Sequence, residues 1–108
     1  MKVAILEPGA WGTALGILLS KKNEVSFWYK NLELSTKLSK FRENEKLPGI
    51  KIPKKIFISS NLEKTINNAN LVLVASPSFN FRKTLSEIKN FKNLPPYWEL
   101  PKELERRP

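Results

Sequence analysis

With 108 residues, 41% of them apolar, the chain has room for one domain and one modest core, since folding at this size hides about two-thirds of the surface an unfolded chain exposes. It has no cysteine, no histidine and no aspartate, which excludes disulfides, thiolate or imidazole metal sites and any Ser-His-Asp triad. The net charge of +9 comes from lysines spread along the chain rather than one basic run, so it reads as a solvated surface; a nucleic-acid face and steering of an anionic cofactor are the alternatives.

Val3 to Leu6 form a continuous apolar run, as in a strand buried on both faces of a parallel sheet, and helical potential follows from Ala10 to Lys21. Between them, Gly9 and Gly12 have the spacing of a dinucleotide-binding corner. There one glycine lets the backbone approach a pyrophosphate and another lets the helix pack on the strand. Glu7 stands where the first glycine of that fingerprint, the one needed for the tight turn, belongs, and Pro8 stiffens the turn. The uncharged stretch Pro8 to Ser20 is shorter than the roughly 20 residues a membrane span needs, and Glu7 and Pro8 interrupt the run a signal peptide requires.

Glu24 to Tyr29 predict a second strand, and Leu32, Leu34, Leu38 and Phe41 mark a helix with one apolar face. Lys46 to Pro53, with two prolines and a glycine, is a loop. Ile56 to Ser59 read as a third strand, and Ser60 or Asn61 caps a short helix through about Asn67. Leu71 to Ala75 form a fourth strand that Pro77 ends, and Ser78 to Lys89 look helical, with Leu85 and Ile88 inward. Strands alternating with helices imply a parallel sheet with right-handed crossovers, ordered 3-2-1-4. That is the amino-terminal half of a Rossmann-like doubly wound α/β fold.

In such a sheet the ligand crevice lies at the carboxyl ends of strands 1 and 4, which gathers Gly9, Ala10, Trp11, Lys30, Ser76 and Pro77. The N–H groups of Ala10 to Gly12 open the first helix and face an anion with the helix dipole behind them. Trp11 is either core packing or a wall of the cofactor site. Lys30 ends strand two, where an NAD-specific fold offers a carboxylate to the ribose. A cation there suits a 2′-phosphate, and a plain solvated lysine is the alternative. Arg82, about a turn into the last helix, is a surface residue or part of the cofactor site. No residue pattern points to catalysis or to a metal.

Trp11-Gly12-Thr13-Ala14-Leu15 behind a strand resembles the G-x-G-x-W-G-T-A-L signature of bacterial NAD(P)-dependent glycerol-3-phosphate dehydrogenase. Glu24 to Lys30 is similar to that family's E-V-x-L-W-x-R. Arg42-Glu43-Asn44 with Leu47-Pro48-Gly49-Ile50, and Pro77-Ser78 with Arg82, continue the likeness in the family's order. The loop before Leu47 is one residue shorter than the family's and lacks its tyrosine. The resemblance implies an NAD(P)(H)-binding domain over residues 1–93, with NADP(H) or NAD(H) as partner and Trp11 against the cofactor, and the cysteine-free composition fits a cytoplasmic location. It also implies that the catalytic lysine and the substrate contacts belong to a helical domain that these residues do not include. A ketopantoate reductase-like domain and a small basic nucleic-acid-binding module are the alternatives.

Residues 94–108 are expected to be an irregular tail. Tyr97 to Pro108 match nothing in the family pattern, although Asn93-Leu94-Pro95-Pro96 still could. Codons for Tyr97 to Leu104 chosen for A/T-rich usage read L-G-I-T-K-G-I in another frame, which resembles the family's T-K-G-[IL]. The expectation is a frame change near Pro96.

Overall fold

The computed structural model describes residues 1–76, 80–86 and 95–99, the side chains of 85 and 86 excepted. In chain order the elements are β1 (Lys2–Leu6), α1 (Ala10–Leu19), β2 (Glu24–Trp28), α2 (Leu32–Phe41), β3 (Phe57–Ser59), α3 (Leu62–Ile66), β4 (Leu71–Val74), α4 (Phe81–Ser86) and β5 (Tyr97–Glu99). The strands form one sheet in the order β3-β2-β1-β4-β5, and each neighbouring pair is parallel. The expected 3-2-1-4 order is therefore present, with β5 added beside β4.

Burial on both faces explains the unbroken apolar strands. Alternate residues of β1 enter different cores, because successive side chains of a strand point to opposite faces. Val3 and Ile5 join Val25, Phe27 and Leu73 under α1 and α2, while Ala4 and Leu6 join Val72, Val74, Leu62 and Phe81 under α3 and α4. The central place of β1 follows from its register. Val3 pairs with Val25 on one side and Leu71 on the other.

The inward face of α2 differs from the one expected. Ser35 and Leu38 are buried, whereas Leu32, Leu34 and Phe41 are exposed. Ser35 can face the sheet because its hydroxyl donates to the Leu32 carbonyl at 2.9 Å, so burial leaves no polar group unpaired. The helix stops at Arg42, which takes the left-handed conformation (φ 60°) and donates from its guanidinium to the carbonyls of Ser39, Pro53 and Ile56. That fan of bonds pins the 46–56 loop against the end of α2.

β5 lies inside the segment expected to be irregular. It forms because β4 would otherwise present an open row of N–H and C=O groups. Val72 N–H donates to the Pro96 carbonyl at 2.9 Å, and the ring of Tyr97 meets Phe81 edge to face at 5.1 Å between centroids. Ile88, expected inward, and Pro77 lie outside the described residues, as does the side chain of Leu85. Among the described residues no helix is long and apolar enough to cross a membrane.

Candidate functional site

β1 ends at Leu6, and the chain turns into α1 through Glu7, Pro8 and Gly9. Glu7 adopts φ 55°, the left-handed conformation that a glycine reaches without cost. Two bonds to the end of β2 hold it there. Its N–H donates to the Trp28 carbonyl at 2.7 Å, and its Oε1 accepts from the Lys30 N–H at 2.8 Å. The turn keeps the shape of a glycine-led corner, with a carboxylate now built into it.

Gly9 is the N-cap of α1 and supplies no side-chain cap, and the first turn carries no acidic residue. Thr13 N–H is the first to bond within the helix, to the Gly9 carbonyl at 3.0 Å. The N–H groups of Ala10, Trp11 and Gly12 thus lie ahead of the first helical bond, at the positive end of the helix dipole. Close packing sets how near α1 comes to the sheet. A Cβ on Gly12 would stand 2.9 Å from those of both Pro8 and Ala75, and one on Gly16 would enter the Phe27 ring.

A cavity of about 230 Å³ opens beside this turn, at the carboxyl end of the sheet, with Glu7, Gly9, Tyr29, Asn44 and Ser76 in its wall. Its polar floor is a chain of bonds. The Tyr29 hydroxyl donates to the Pro8 carbonyl at 3.2 Å and also bonds Thr13, and the Asn44 amide donates to Thr13 Oγ1 at 3.1 Å. Burial pushes the Tyr29 phenol well above the ordinary tyrosine range, the Thr13 bond lowers it, and the charge of Glu7 raises it. The phenol remains a proton donor that holds the turn closed.

Of the residues singled out in the sequence, Gly9 and Ser76 line this cavity, while Ala10, Trp11 and Gly12 form the helix start beside it. Trp11 is 49% exposed, so it is not core packing. Lys30 is exposed at the end of β2, with its backbone rather than its ammonium bound by Glu7. Pro77 lies outside the described residues. Arg82 is not in the cavity wall; its Nε donates to the Tyr97 hydroxyl at 2.8 Å. Tyr29, Thr13 and Asn44 were not picked out as site residues. The Arg42-Glu43-Asn44 segment was the available signal, because Asn44 is the residue that reaches back to α1.

The sequence model of the family described as the amino terminus of NAD-dependent glycerol-3-phosphate dehydrogenase matches residues 2–101. Among curated relatives, glycerol-3-phosphate dehydrogenase [NAD(P)+] of Dechloromonas aromatica is 35% identical over 100 residues, covering 91% of this chain and 30% of the relative. The enzyme of that name from Nitrosomonas eutropha is 39% identical over 89 residues, covering 82% and 27%. The chain therefore spans about 30% of the length of relatives it matches. A solved structure of glycerol-3-phosphate dehydrogenase from Coxiella burnetii superposes with a TM-score of 0.74 at 22% identity, over 91% of this chain and 32% of that one, which supports the fold.

Proposed function

Because the chain belongs to the NAD-dependent glycerol-3-phosphate dehydrogenase family, through that family's amino-terminal region, we propose that it is the NAD(P)(H)-binding part of such an enzyme. The observation that carries this reading is the uncapped, acid-free start of α1 at the mouth of the cavity between the ends of β1, β2 and β4. In that arrangement the N–H groups of Ala10, Trp11 and Gly12 bind the pyrophosphate, with Gly9 leaving the backbone open to it. The exposed Trp11 indole covers the bound nucleotide. Lys30 stands at the adenosine side, Ser76 lies just past the end of β4, and Pro77 joins the set from its sequence position alone. Arg82, bonded to Tyr97, is the outermost member of the proposed set.

When bound, the cofactor supplies hydride chemistry, in the full-length enzymes between NAD(P)H and dihydroxyacetone phosphate. The residues here bind and orient it, and the Tyr29-Thr13-Asn44 chain keeps the turn that does so in one shape. Delivery of the second substrate is assigned to parts of the longer architecture that these 108 residues match only in part. A cysteine-free composition supports a cytoplasmic location.

Calorimetric titration of the 108-residue chain with NADH and with NADPH tests the reading. Saturable one-to-one binding of at least one of them, with no turnover of dihydroxyacetone phosphate, is the expected outcome. Failure of both to bind would overturn the proposed site, and turnover by this chain alone would overturn the division of labour.

A further inference from the structure

Glu7 is the feature of the corner that a dinucleotide fingerprint does not explain. It lies at the end of the central strand, half-buried, and is tied to β2 by backbone and side chain together. Its carboxylate is anchored on the N–H of Lys30, the residue that follows β2 and Tyr29. In a fold of this kind that is the place where the adenosine ribose is read, by an acceptor for a 2′-hydroxyl or a cation for a 2′-phosphate. Lys30 brings the cation. Glu7, reaching across from β1, brings an acceptor to the same place.

Given the proposed nucleotide site, on which this inference rests, we infer that Glu7 is a specificity-determining residue that selects NAD(H) over NADP(H). An ionised carboxylate accepts hydrogen bonds and donates none, and only one of its lone-pair directions is used by the Lys30 N–H. Glu7 also lines the cavity, beside Gly9 and Tyr29. A ribose hydroxyl donates to such a group. A 2′-phosphate brings two negative charges against it and has no proton to give.

The Lys30 ammonium does not cancel this charge. Among the described residues the ion pairs are Lys37 with Glu45 and Lys51 with Glu43, so Glu7 and Lys30 meet only through the Lys30 backbone. An exposed ammonium on a flexible stem is screened by solvent. A carboxylate held by a 2.8 Å bond at the end of the central strand stays where it is. The fixed charge therefore sets the preference and the mobile one modulates it.

The experiment is a set of calorimetric titrations with NADH and NADPH at low and high salt, on the wild-type chain, Glu7→Gln, Glu7→Gly and Lys30→Ala. Glu7→Gln retains an oxygen for the Lys30 N–H, so the turn is preserved, and thermal unfolding checks this. The wild type is expected to bind NADH about tenfold or more tightly than NADPH. Glu7→Gln should close most of that gap by strengthening NADPH binding, with the largest gain at low salt. A ratio of affinities that is the same in wild type and Glu7→Gln overturns the inference while leaving the nucleotide site standing. Tighter NADPH binding by the wild type, lost in Lys30→Ala, also overturns it and assigns the choice to Lys30. Failure of both nucleotides to bind wild type and Glu7→Gly alike overturns the site itself, and the inference with it.

Discussion

Gly12 is confined from two sides, by the Cβ atoms of Pro8 and Ala75, and neither is the movable end of a long side chain. Gly12→Ala is therefore expected to push α1 off the sheet and cost about 1–3 kcal/mol, read as a lower urea midpoint at unchanged slope. Tyr29 supports the same corner from below, and its buried phenol titrates above the ordinary range. The unfolded chain loses this proton near pH 10 while the folded chain keeps it. The contribution is thus complete below about pH 10 and is lost as the pH climbs from there through the folded value. Tyr29→Phe should make the fall in urea stability above about pH 10 shallower than in wild type. An equally steep fall would mean that the phenol is not protected by burial.

Two short helices depend on asparagines at their starts. Asn31 Oδ1 accepts from Leu34 N–H at 3.0 Å, and Asn61 Oδ1 accepts from Lys64 N–H at 2.9 Å. Asn31→Ala is expected to cost about 1 kcal/mol, with Asn31→Asp restoring most of it, checked by equilibrium unfolding. A cap at Ser60 or Asn61 was legible, and Asn61 is the one that fills it; four strands and the start of α1 were legible too, because local chemistry and unbroken apolar runs specify them. The orientation of α2 was not legible. Its leucines outnumber its serines, yet Ser35 faces inward, since a serine can satisfy its hydroxyl on its own helix and let the backbone come close. In the candidate site, the turn into α1 could be read from Gly9 and Gly12, but the Thr13–Asn44 bond joins residues 31 apart and leaves no local trace. β5 was missed for a related reason. Three residues pair there because β4 offers an edge, and no periodicity in their own sequence announces it.

At the scale of the whole molecule, β5 closes the second core, with Tyr97 over Phe81 and its hydroxyl accepting from Arg82. A chain ending after Pro96 is expected to be less stable by roughly 1–3 kcal/mol, the size of one half-buried aromatic contact and its bond, measured by thermal and urea unfolding. Unchanged stability would show that β5 adds nothing to that core. The central position of β1 also bears on how the chain acquires its shape. β1 can pair with β2 early, but its other side waits for β4, so Val3 must find Leu71 after five intervening elements have been made. At translation rates of about 5–20 residues per second, a nascent chain holds that side of β1 open for seconds. Such long-range parallel pairing makes for slow folding, and the open interval is when two nascent chains can stick to each other. Chaperone demand during synthesis, more than the finished fold, is therefore where this topology exposes the protein.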